Sequence, residues 1–331
     1  MKRLNQFEIF RFIGAIVVLM FHTARETTFF GKLPVILQNG PAWVYFYLLL
    51  SGFILTYSFY NNEKFNIKKF YTSRLAKLYP LYFISLLMIC IFTGFKGKEK
   101  MIIHLFLLQD WVFPKALDYN AAAWYLSALT FLYLLFPILL KLYKKSEKTM
   151  IIFSIIILIY GYYIHILFLP LINNEIMHQL FNYFPLVHIG SFMMGMSLCR
   201  ISMKLKKRKV YSYLAIIYII FLTYFMNNIP TGLPFIGNYI TATFIPLIIF
   251  LSNDTGFFSK VLDNKLFIFL GSISYSIYIF HIPVQNGFSK FFPELNSGYF
   301  IFYLILVIIW SIIMTFSNRK ISLIFKGKQT I

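Results

Sequence analysis

Runs of about twenty apolar residues, separated by short charged turns, follow one another along nearly the whole chain. A helix needs roughly 20 mostly apolar residues to cross a bilayer. On that scale ten segments qualify: 7–24, 42–60, 78–95, 122–142, 150–169, 178–199, 210–227, 233–252, 265–285 and 299–317. The stretch 101–113, MIIHLFLLQDWVF, is apolar but too short to span, and is expected to lie in the membrane interface or dip back. No repeat, heptad run, Gly/Ser linker or low-complexity tail breaks the series, so residues 1–331 read as a single domain. The expected fold is all-α, a polytopic membrane bundle.

Composition leads to the same solvent. Of 331 residues, 59% are apolar and only 13% charged, and the mean hydropathy is +0.72. Soluble domains average roughly 45–50% apolar and about a quarter charged. A soluble fold of this size has no interior large enough for that surface, so lipid must take it.

The charges carry topology. Loops on the cytoplasmic side of a membrane are enriched in Lys and Arg. With the N-terminus placed inside, the ten-span scheme puts 23 basic residues in inner segments and 7 in outer ones. Both termini are therefore expected in the cytoplasm, in an inner or plasma membrane. The net charge of +20 does not point to nucleic acid, because the basic residues sit in short clusters with no aromatic-basic face. The run KLKKRK at 204–209 is read as an electrostatic anchor on the inner leaflet. Cys90 and Cys199 both fall in apolar runs, with neither a disulfide framework nor metal spacing. The first span lacks a small-residue cleavage site and holds Arg11 in its body, so it is expected to be retained.

Ionisable groups inside spans are costly and usually face the bundle interior. The first span has Glu8, Arg11 and His22. Arg11 and His22 are eleven residues apart, three turns plus roughly 20°, so they share a face about 16 Å apart along the axis. Glu8 is spaced to pair with Arg11. Imidazole exchanges protons near neutral pH, and guanidinium grips phosphate or carbonyl oxygens. One helix thus offers a cation and a base in line, expected to face one cavity open to both leaflets. Arg74 and Lys77 stand before Pro80 at the inner mouth of the third span; Ser51-Gly52 interrupts the second, where close helix packing is the favoured reading. Trp124 opens the fourth span and Ser127 follows one turn later, while Tyr275, Tyr278 and His281 share the ninth. His104 and His165 read as interfacial, and no chemistry is assigned to His188. No metal motif, phosphate loop or nucleophile elbow is present. The residues alone leave transport and catalysis both open.

Arg11, ten intervening residues and His22 resemble the hallmark of the membrane acyltransferase family 3. Four further segments resemble family motifs in order: YFYLLLSGFIL at 45–55, FYTSRLAKLYPLYF at 70–83, WYLSALTFLYLLFP at 124–137 and LGSISYSIYIFHIPV at 270–284, with FPLVHIGSFMMGM at 184–196 looser. The resemblance implies transfer of an acyl group, usually acetyl from cytosolic acetyl-CoA, to a hydroxyl of an extracytoplasmic glycan or lipid-linked sugar. It implies His22 as general base and Arg11 orienting the thioester. Glu8, Trp124, Ser127, Tyr275, Tyr278 and His281 would support them, with Arg74 and Lys77 on the donor phosphates and no metal. Some members carry an added hydrolase-like domain; here a stand-alone member, or one with a separate partner in polysaccharide assembly, is expected. The chain departs from the family pattern at Lys77, Leu129, Thr130, His188 and Ser191, where a second arginine or acidic partners are common. A transporter or flippase of an anionic solute or polysaccharide, and a non-catalytic export subunit, are the competing readings.

Overall fold

A computed structural model describes residues 4–23, 35–168, 174–228, 237–292 and 297–327. These are almost wholly helical, in fifteen helices: α1 (Gln6–Thr23), α2 (Val35–Gln38), α3 (Ala42–Phe59), α4 (Ile67–Thr93), α5 (Lys98–Leu105), α6 (Trp124–Lys145), α7 (Glu147–Phe168), α8 (Glu175–Tyr183), α9 (Ile189–Lys204), α10 (Val210–Asn228), α11 (Gly237–Thr243), α12 (Ile245–Asn253), α13 (Phe257–Val261), α14 (Lys265–Phe288) and α15 (Ser297–Gly327). Among the described residues nine helices are long and apolar enough to cross a membrane. The protein is an all-α polytopic membrane protein.

The eighth expected span, 233–252, differs. Residues 229–236 lie outside the described ones, and the remainder forms two short helices that meet at Phe244. Pro246 has no N–H to continue the ladder and sits in the first turn of α12, where that loss is harmless. The third span also differs. Its helix starts at Ile67, capped by the Asn66 side chain accepting from Lys69 N, so Arg74 and Lys77 lie within α4 and not in a loop ahead of it.

Helices α3 and α9 cross closely on glycine. A Cβ on Gly52 would collide with the Phe192 carbonyl, and one on Gly195 with the Leu49 carbonyl, so small residues here let two backbones touch. The reading of Gly52 as a packing residue holds. Helix α1 packs along α14 in the same way, with Gly271 facing Glu8. Helices α7, α10 and α15 surround this core and present apolar side chains outward, such as Ile156, Ile217 and Ile309. On α5 and the turn after it, Ile102, Phe106 and Leu108 are exposed, whereas His104, Gln109 and Asp110 are wholly buried. The segment 101–113 therefore folds back with its apolar edge outward. His104 is a core residue, edge-on to Tyr119 at 4.9 Å, and not interfacial. The side chain of His165 lies outside the described ones.

At one end of the bundle Glu147 ties three helices together. It accepts from Arg200 Nη2 at 2.7 Å and Nε at 2.9 Å, and from Lys204. The Arg200 guanidinium lies 3.6 Å over the Tyr60 ring. This latch joins the end of α3 to α7 and α9, beside the exposed run 204–209.

Candidate active site

A cavity of 720 Å³ opens between α1, α3, α4, α6 and α14. Its cations come from two helices: Arg11 from α1, Arg74 and Lys77 from α4. Tyr47, Tyr125, Tyr133, Tyr275 and Tyr278 form aromatic walls, Ser51 and Ser274 add hydroxyls, and Asn61 and Asn62 stand at the mouth.

Each cation is held differently. Arg11 Nη1 donates to Glu8 Oε2 at 3.0 Å, with the Arg11 side chain 28% exposed and Glu8 nearly covered. Glu8 is in turn pressed against Gly271 of α14. The carboxylate neutralises part of the burial cost, while four other guanidinium donors stay on the cavity side of a rigid helix. The Arg11 carbonyl accepts from Tyr47 Oη at 2.6 Å, which fixes α1 against α3. Arg74 has its guanidinium 5.5 Å from the Phe70 ring centroid and 5.8 Å from that of Tyr133. Such stacking orients a planar cation without neutralising it. Lys77 enters one helical turn on, and its carbonyl accepts from Asn318 Nδ2 at 2.8 Å.

The tyrosines are tethered by their hydroxyls. Tyr275 Oη donates to the Leu78 carbonyl at 2.9 Å, linking α14 to α4. Tyr278 Oη donates to the Ala122 carbonyl at 2.8 Å, linking α14 to the turn before α6. Tyr47, Tyr125 and Tyr278 pack ring to ring, with centroids 5.4–6.3 Å apart. All three line the cavity.

His22 is not part of the cavity lining. It stands in the last turn of α1, with its ring centroid 5.2 Å from that of His281 on α14. Arg11 and His22 thus lie along one continuous helix, Arg11 on the cavity and His22 beside His281 of α14.

Trp124 and Ser127 also lie outside the cavity. Trp124 packs against Tyr183 at 5.0 Å and His188 at 5.3 Å. Ser127 Oγ donates to the Leu107 carbonyl at 2.7 Å, and so pins the segment after α5. His188 is enclosed between Trp124 and Tyr45, and Ser191 shares a 2.6 Å hydrogen bond with Thr241. The Asp110 carboxyl is wholly buried beside Ser127 and Ala128, and burial holds its pKa well above the usual carboxylate range. Sequence reasoning missed Tyr47, Tyr125, Tyr133, Asn61 and Asn62, because uncharged tyrosine in a span and asparagine in a turn carry nothing to mark them.

The family model described as "Acyltransferase domain", family 3 of the acyltransferases, matches residues 4–316. The chain belongs to that family. The acyltransferase domain thus covers the whole bundle, cavity and histidine pair included. Among relatives, the acyltransferase MdmB of Streptomyces mycarofaciens is 28% identical over 151 residues, 41% of this chain and 38% of its own length. The chain thus matches under half the length of that relative. The putative acetyltransferase ORF330 of Acidianus two-tailed virus is 26% identical over 262 residues, 74% of each chain. No solved structure matches.

Proposed function

We propose that this acyltransferase moves acetyl from cytosolic acetyl-CoA to a hydroxyl of an extracytoplasmic or lipid-linked glycan, across an inner or plasma membrane with both termini inside. The observation that carries the reading is the placing of Arg11, Arg74 and Lys77 on one aromatic-walled cavity, at the foot of the helix that bears His22. Three cations on one cavity suit the phosphates of a nucleotide-linked donor, and a fork such as Arg74 recognises phosphate in the plane of its stack. The uncharged tyrosine walls suit a narrow arm that threads inward.

In this mechanism Arg11 stabilises negative charge on the thioester oxygen, as a fixed donor in a dry site does. His22 takes the proton of the acceptor hydroxyl, a role worth typically about 10²–10⁴-fold. The attacking oxygen must come within about 3.5 Å of the carbonyl carbon. The Tyr47–Tyr125–Tyr278 ring cluster must therefore part when donor and acceptor meet, which makes it the gate between the two halves of the site. Glu8 holds Arg11, and Tyr275 and Tyr278 hold α14 in place. Trp124 and Ser127 support the outer half, where the acceptor enters.

Mass spectrometry of the host's surface glycans, with and without this protein, tests the reading. Loss of a 42 Da acetyl increment, taken as about one acetyl per modified hydroxyl, supports it. Glycans that are acetylated alike in both cases contradict it, and a changed glycan amount with unchanged acetylation points to transport.

A further inference from the structure

The turn after α3 joins the cavity to a group of cations that the mechanism above does not use. Asn61 and Asn62 are exposed and line the cavity. The Asn62 side-chain oxygen accepts from Lys64 N at 3.0 Å, which fixes the turn. The Asn62 carbonyl accepts from Lys144 Nζ at 3.3 Å, so the last turn of α6 brings an ammonium to that edge. The same nitrogen stands 5.9 Å from the centroid of the Tyr60 ring, and the Arg200 guanidinium 3.6 Å from that ring.

Charge does not balance here. Glu147 holds both Arg200 and Lys204, one carboxylate against two cations. Lys144 has no carboxylate partner among the described residues, and its bond to Asn62 uses one of its three N–H donors. Glu63 and Lys64 in the turn cancel each other in charge. The edge of the cavity is therefore left positive, with exposed donors on Lys144.

Lysine binds phosphate as a point charge, and a phosphomonoester carries about −1.5 to −2 charge at pH 7. Coenzyme A has one such group, the 3′-phosphate of its adenosine, one ribose away from the pyrophosphate. The Arg74 guanidinium stacks on Phe70, and the Phe70 ring lies 5.6 Å from that of Phe59, next to Tyr60 in the chain. The end of α3 thus packs against the turn of α4 that carries Arg74, with Lys144 at its edge.

We propose that Lys144 binds the 3′-phosphate of the acyl-CoA donor, in the positive field of Arg200 and Lys204, while Arg74 and Lys77 take the pyrophosphate. The inference rests on the donor being acetyl-CoA. It makes Lys144 a specificity residue: the enzyme distinguishes acetyl-CoA from a donor with the same pantetheine arm and pyrophosphate but no 3′-phosphate.

The test uses the full chain in host membranes, with acetyl-CoA and acetyl-3′-dephospho-CoA, each radiolabelled in the acetyl group. Each protein is scored by the ratio of kcat/KM for the two donors, which does not depend on the amount of folded enzyme. The wild type is expected to prefer acetyl-CoA about 5–10-fold, the size of one charge-assisted contact at a wet edge. Lys144→Gln is expected to bring the ratio close to one, and Lys144→Arg, which keeps the charge, to hold most of the preference. A ratio near one in the wild type, or a full preference kept by Lys144→Gln, overturns the proposal. So does a Lys144→Gln variant that loses rate with both donors alike, the result expected of an ammonium bound to bilayer phosphates. Wild-type membranes that use neither donor overturn the acetyl-CoA reading itself, whereas use of both donors without preference overturns only the role of Lys144.

Discussion

The Glu8 carboxylate occupies the space in which a side chain on Gly271 would stand. The ion pair that steadies Arg11 thus depends on a missing methyl group on another helix. Replacing Gly271 with alanine forces either Glu8 or α14 to move. Overpacking of a close helix contact costs about 1–3 kcal/mol, and here the shift also frees Arg11 from its partner. Gly271→Ala is expected to lower the unfolding temperature in detergent and to reduce acyl transfer more than tenfold. Wild-type stability and activity in this variant would show that α1 and α14 do not approach as described.

Arg74 is oriented by two rings and not by a carboxylate among the described residues. Lysine keeps the charge but loses the planar fork and much of the stacking. Arg74→Lys is expected to raise KM for acetyl-CoA about 5–20-fold with kcat little changed, consistent with roughly 1–2 kcal/mol for a desolvated cation–π contact. Arg74→Gln should raise it further. Steady-state kinetics over a range of acetyl-CoA concentrations gives the answer, and an unchanged KM in both variants would remove Arg74 from the donor site.

Much of this arrangement is legible in the sequence, and the gaps have physical causes. Long apolar runs mark spans because lipid demands them, and the eleven-residue spacing puts Arg11 and His22 on one face because a helix has a fixed pitch. Arg74 and Lys77 were harder to place. An apolar window begins at Leu78, but the hydrogen-bonded helix begins at Ile67, since backbone pairing does not stop where side chains become charged. Within the eighth expected span, the described residues 237–253 form two helices that meet at Phe244, a break that hydropathy alone does not register. Tyr47, Tyr125 and Tyr278 escape notice as a gate because a chain with 24 tyrosines gives no sign of which three will meet.

His104 gives the protein an acid-sensitive joint outside the spans. Burial pushes its pKa down from the ordinary 6.5 to about 4, against a smaller upward pull from Asp118, while Lys96 and Lys100 add to the lowering. A lowered folded-state pKa means that the unfolded chain binds the proton first. The neutral ring's full contribution is present above about pH 6.5 and is lost as pH falls toward 4. The loss amounts to about 3.5 kcal/mol, at about 1.4 kcal/mol per pH unit. Denaturation in detergent at pH 7.0, 5.5 and 4.5 should show this slope in the wild type and a shallower one in His104→Gln. Equal slopes would mean that the imidazole is not buried when the protein folds.

The most direct measurement is the incorporation of radiolabelled acetyl from acetyl-CoA into glycan by membranes containing the wild-type protein or His22→Ala. With both proteins inserted at equal levels, the account predicts incorporation by the wild type and a drop of at least 100-fold in the variant. Equal incorporation by the two, or none by the wild type beside active movement of glycan across the membrane, would contradict it.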